Sequence, residues 1–150
     1  MLAFGLLPTF GSPARAQRIV TWQLQAIGTT AADPFVGGGF GVGVRQRGRF
    51  GFGATASGGA VGGELGARFE GAATFHLDPR RRAGVAPYGG AGLAVVTSSN
   101  TAAYVLLVLG IESRPGARRG WFVEVGIGGG LRGSVGIRWR NPSRSSRGSG

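Results

Sequence analysis

Residues 64–77, ELGARFEGAATFHL, interleave two different chains of residues. Odd positions hold Leu65, Ala67, Phe69, Gly71, Ala73, Phe75 and Leu77; even positions hold Glu64, Gly66, Arg68, Glu70, Ala72, Thr74 and His76. A period of two is the signature of a strand, because successive side chains leave opposite faces of the pleat. The same alternation recurs along nearly the whole chain. It predicts segments at about 18–28, 35–45, 49–57, 64–77, 85–97, 102–112, 121–128 and 131–140. Turn chemistry separates them: TTAADP, RQRG, GGAVGG, DPRRRAG, SSN, SRPGARRG and the glycine pair at 129–130. Glycine falls inside most of the segments and would cost a helix about 1 kcal/mol at each occurrence, so helices are not expected. Eight strands joined by short links make an antiparallel meander.

The second face decides the architecture. In a soluble sandwich it would carry large solvated β-formers such as Thr, Lys and Glu. Here it is mostly Gly, Ala and Ser with scattered charges, and 32 of the 150 residues are Gly. Glycine on a solvated strand face weakens the strand for no return. Inside a closed eight-stranded barrel, by contrast, the interior is only just wide enough for side chains, so small residues must make room for the few large ones. The reading is therefore all-β: a closed, antiparallel, up-and-down eight-stranded barrel with aliphatic residues outward to lipid. An Arg pointed at the lipid midplane would cost about 2–4 kcal/mol, which turns the charges inward. The expected luminal polar network is Glu64, Arg68, Glu70, His76, Tyr88, Glu112, Glu124, Arg132 and Arg138, helped by Gln23 and Gln25. Its acidic and basic members are of nearly equal number. Trp22, Phe35, Trp121 and Trp139, near strand ends, are expected in interfacial girdles.

Little in the chain supports catalysis. There is no Cys, which excludes disulfides and thiolate metal sites. The single His76 has no His or Cys partner for a metal. It is expected to be structural, hydrogen-bonded to Glu64, Glu70 or Thr74. GGGLRG at 128–133 matches a dinucleotide fingerprint literally, but no helix or downstream acid accompanies it. No cofactor, metal, small-molecule substrate or enzymatic activity is expected.

Two short stretches resemble a known family. VAPYGGAGLAVV (85–96) and WFVEVGIGGGLRGSVGIRW (121–139) resemble a characteristic strand and the final hairpin of small outer-membrane β-barrels of the outer membrane protein A or opacity-protein type. The resemblance implies residence in the outer membrane of a Gram-negative-type envelope, with outer-membrane lipids and the barrel-assembly machinery as partners. It makes the last strand the signal that this machinery reads, here Val135, Gly136, Ile137 and Trp139. It also implies that both termini are periplasmic. The links after strands two, four and six then share that side and form a basic rim of Arg45, Arg47, Arg49, Arg80, Arg81, Arg82, Arg114, Arg118 and Arg119, with Arg140, Arg144 and Arg147 added by the tail. The opposite links contain no Arg. Most of the formal charge of +11 thus gathers at one end, explaining it without nucleic acid, and the rim is expected to lie against lipid phosphates.

The domain reading is a signal peptide at 1–16, ending in Ala14-Arg15-Ala16, a barrel at 17–140 and a polar, disordered tail at 141–150. The function expected is that of a non-enzymatic envelope barrel with a closed lumen, in a structural or contact role. The alternative is an exported soluble barrel binding a small apolar ligand as lipocalins do. That alternative requires the aliphatic face to point inward.

Overall fold

The computed structural model describes residues 18–45 and 48–142. The segment read as a signal peptide, Arg47, and the tail from Ser143 onward with Arg144 and Arg147 lie outside the described residues. Eight strands follow one another: β1 (Ile19–Thr30), β2 (Phe35–Arg45), β3 (Phe50–Val61), β4 (Glu64–His76), β5 (Val85–Thr97), β6 (Thr101–Ser113), β7 (Arg119–Ile127) and β8 (Leu131–Pro142). Each pairs antiparallel with its sequence neighbour, and β8 returns to β1, from Thr30↔Leu131 to Ile19↔Pro142, closing the barrel. Closure leaves no sheet edge unpaired, which a strand-built protein needs in hydrocarbon.

The strand ends differ from the sequence reading by two residues or more in four places, one of them the start of β7, where Arg119 and Gly120 of the expected break are already in the strand. GGAV at 58–61 belongs to β3, and the break is only Gly62-Gly63, at φ of 57° and 95°. Glycine takes both positions of this tight link because a Cβ there would be strained. β1 continues through Thr29 and Thr30. β8 continues through Asn141 and Pro142, which the composition had placed in the tail.

The two faces separate as the alternation requires. Leu65 is 91% exposed, and Leu24, Phe52, Phe69, Leu93, Val105, Leu107, Leu109, Val125, Val135 and Ile137 are exposed with it on the outer surface. An apolar band of this extent needs a nonaqueous partner. Arg68, Glu70, Glu112, Glu124 and Arg132 are all buried in the interior. The lipocalin-like alternative loses its apolar cavity by this orientation.

Glycine on the inner face makes room for aromatic rings. A Cβ on Gly110 would meet Tyr88 Cζ at 2.6 Å and one on Gly136 would meet Phe122 Cε1 at 2.7 Å. On the outer face Gly71 and Gly133 have nothing within 4 Å of such a Cβ.

Phe35 departs from its expected girdle position. It is 1% exposed, packs with Ile27 and Val61, with Val96 beside them, and donates its backbone N–H to Thr29 Oγ1 at 3.1 Å. Its place at the strand end suggested an interface, but its parity puts it inside, where it helps to fill the barrel end away from the termini. Trp22 and Trp121 are exposed and Trp139 half-buried on the outer face.

Candidate functional site

The interior is organised by a chain of ion pairs that runs from one end of the barrel to the other. It starts near the β7–β8 link, where Arg68 donates from Nη2 to Gly128 O at 2.8 Å and from Nε to Glu70 Oε1 at 2.7 Å. Across the lumen Arg132 grips both oxygens of Glu70, at 2.8 and 2.7 Å, and passes Nη1 to Glu124 Oε2 at 2.9 Å. Glu124 also accepts from Tyr88 OH at 2.6 Å and Ser134 Oγ at 3.1 Å, and meets Arg138 Nη2 at 2.9 Å. Arg138 lies 4.0 Å from the Phe122 ring centroid and 4.8 Å from that of Tyr88, and donates to Gln23 Oε1 at 3.0 Å.

From Arg138 the chain continues to Glu112 Oε2 at 3.3 Å. Glu112 is the junction at the termini end, approached also by His76 Nδ1 at 2.8 Å, Arg45 Nη1 at 3.5 Å and Arg140 Nη2. The guanidiniums supply the charge-assisted bonds that a buried carboxylate needs in place of water. A cavity of about 100 Å³ lies between these groups and the small residues of β2 and β3, lined by Thr21, Gln23, Gly53, Thr55, Thr74 and Arg138 among others.

The structure corrects the expected sets in four respects. Glu64 has luminal parity but sits exposed where β4 begins, outside the chain of ion pairs. Arg45, expected on the rim, is buried and bound to Glu112; Arg140, expected in the tail, is buried there too. Among the described residues the interior therefore holds five guanidiniums against three carboxylates rather than a near-equal set. The partner of His76 is Glu112 on β6 as well as Thr74, whose Oγ1 lies 3.3 Å from Nε2, and neither Glu64 nor Glu70.

Thr74, His76 and Glu112 form a hydroxyl–imidazole–carboxylate line. In hydrolases the carboxylate orients the base and stabilises the imidazolium that forms during reaction. Here Glu112 is shared among Arg45, Arg138 and Arg140, so its charge is already committed. The arrangement ties β4 to β6 through His76 and Glu112, and through Glu112 to β2 and β8.

The remaining rim residues are gathered at the termini end. Arg49, Arg80, Arg81, Arg82, Arg114, Arg118 and Arg119 are exposed, and among the described residues none of these seven forms an ion pair. Arg45 and Arg140 hold the β4–β5 and β6–β7 loops, which carry Arg80, Arg81, Arg82, Arg114 and Arg118. Arg45 Nη2 donates to Pro79 O and to Pro115 O, each at 3.3 Å. Arg140 Nη1 donates to Ala117 O at 3.3 Å, and its backbone N–H to Arg118 O at 2.8 Å. The β4–β5 and β6–β7 loops also bond each other, Arg114 N–H to Gly84 O at 2.9 Å and Gly116 N–H to Arg81 O at 2.8 Å. The link of Arg45 to two separate loops was not visible in the sequence. Its inward parity was the available signal, masked by the arginines beside it.

Val135, Ile137 and Trp139 project from the outer face of β8, and Gly136 faces the Phe122 ring inside.

No protein-family model matches the chain, and no curated protein matches it. Solved structures do. The N-terminal β-barrel domain of Pseudomonas aeruginosa OprF superposes with a TM-score of 0.58 at 15% identity, covering 81% of this chain and 97% of that one. Neisserial surface protein A, NspA, superposes with a TM-score of 0.57 at 13% identity, covering 81% and 96%. At such identities the likeness is one of fold: the chain is an eight-stranded, closed, up-and-down barrel of the architecture seen in these two proteins.

Proposed function

We propose that this chain is a non-enzymatic integral barrel of the outer membrane of a Gram-negative-type envelope, serving as a structural or contact element. The observation that carries the reading is the orientation of the two faces: a continuous aliphatic surface outside, and Arg68, Glu70, Glu112, Glu124, Arg132 and Arg138 paired inside. The ion pairs act as the packing of the barrel and not as a conduit. Eight strands leave too little lumen for a diffusive pore, and the guanidiniums occupy what there is. Ion conductance across a planar bilayer is accordingly negligible. The partners in this reading are outer-membrane lipids along the strands and the barrel-assembly machinery at β8, with Val135, Gly136, Ile137 and Trp139 as the recognised signal.

Detergent extraction of envelope membranes followed by gel electrophoresis, with and without boiling, tests the reading. The folded barrel is expected to be found in the detergent-soluble envelope fraction and to shift its migration on heating. Recovery in the aqueous fraction without detergent would refute it.

A further inference from the structure

We propose that the termini end of the barrel carries a preformed collar for anionic phospholipid headgroups. The inference rests on the membrane reading and names the partner of that rim. Three independent features support it.

The first is charge separation. The described links at this end hold six exposed arginines and, as their only acid, Asp78, and Arg119 adds a seventh exposed arginine at the first position of β7. The links at the other end, at 31–34, 62–63, 98–100 and 128–130, hold Asp33 and no Arg. A requirement for solubility alone would not place the cations at one end.

The second is depth. Guanidiniums and outward aromatics meet at the same level. Arg119 is opposite Trp139 in the β7–β8 register, Trp139 is opposite Trp22 in the β8–β1 register, and Trp121 follows two residues after Arg119. On the other side Phe50 faces Phe75, with ring centroids 5.0 Å apart, and Arg49 lies over the Phe75 ring at 5.9 Å. Aromatic rings of a membrane barrel settle at the headgroup boundary, so arginines beside and just beyond them stand at the phosphates.

The third is preorganisation. The β4–β5 and β6–β7 loops are bonded to each other and held from inside by Arg45 and Arg140. Binding a phosphate therefore does not require ordering the backbone that carries the guanidiniums. The forked donors of Arg suit phosphate oxygens better than a point charge does.

Native mass spectrometry of the full barrel in mild detergent, titrated with phosphatidylglycerol or phosphatidylcholine of matched chains, tests the collar. Wild-type protein is expected to retain phosphatidylglycerol at least about tenfold more strongly. Arg80, Arg81, Arg82, Arg118 and Arg119 changed together to Ser should abolish the preference, and the same five changed to Lys should keep most of it. Circular dichroism and heat-shifted migration establish that each variant is folded. Equal retention of both lipids by wild type, or an undiminished preference in the folded Ser variant, would overturn the collar. Insertion of wild type into pure phosphatidylcholine vesicles is read separately. If it inserts without lipid preference, the collar alone is wrong; if it stays in water, the membrane reading fails.

Discussion

Arg132 sets two guanidinium nitrogens against the two carboxylate oxygens of Glu70, Nε at 2.8 Å from Oε1 and Nη2 at 2.7 Å from Oε2. The two residues are 62 positions apart in sequence and meet across the lumen. Glu70→Ala would strand both Arg132 and Arg68 with no carboxylate at that point, and uncovering a buried charge costs about 3–5 kcal/mol. Glu70→Ala combined with Arg132→Met should cost less than the sum of the single changes. Urea unfolding in lipid vesicles, arranged as a double-mutant cycle, measures the coupling.

Arg45 is expected to behave as a loop staple and not as a surface charge. Arg45→Ala removes the bonds to Pro79 O and Pro115 O, so amide exchange at Arg114 and Gly116 should accelerate while the central strands stay protected. Arg82→Ala, on the exposed rim, should leave those amides unchanged.

The two faces should respond oppositely to one added methyl. Gly110→Ala brings a Cβ to 2.6 Å from Tyr88 Cζ and 3.0 Å from Glu124 Cγ, so it should destabilise by about 1–3 kcal/mol. Gly133→Ala, with nothing within 4 Å, should be close to neutral by the same unfolding measurement.

Leu107 lies midway along β6 on the outer face. Leu107→Arg should cost about 2–4 kcal/mol in a bilayer. Leu65→Arg, at the β4 end, should cost about 1 kcal/mol or less, because the cost falls toward the interface. Vesicle unfolding of both variants checks the depth dependence.

The architecture was legible because alternation is local. β2 and β5 fall at 35–45 and 85–97, the ranges that the period of two and the turn residues predict. β3 extends beyond its reading because Gly58 to Val61 offer small residues that look like a turn until the register with β2 shows them paired. Face assignment failed where two signals competed. Arg45 has inward parity but stands beside an arginine-rich link, Arg140 has inward parity but stands beside the arginine-containing tail, and Phe35 has inward parity but stands at a strand end. In each case parity prevailed, because closing the barrel leaves a side chain no other direction. Glu64 follows parity too, but its strand begins where the barrel opens to solvent. The partners themselves were not legible. Which residue meets His76 depends on which strands face each other across the lumen, and Glu112, 36 residues away, is placed there only by the closed register.

The central claim is that odd positions of β6 face acyl chains and even positions face the interior. The chain has no Cys, so a series of single substitutions to Cys from Val105 to Leu109 can each carry one spin label in phospholipid vesicles. Collision with dissolved oxygen should be high at Val105, Leu107 and Leu109 and low at Leu106 and Val108, with water-soluble nickel reagents excluded from all the outward positions. Maxima at Leu106 and Val108, or free access of the nickel reagent to Leu107, would contradict it.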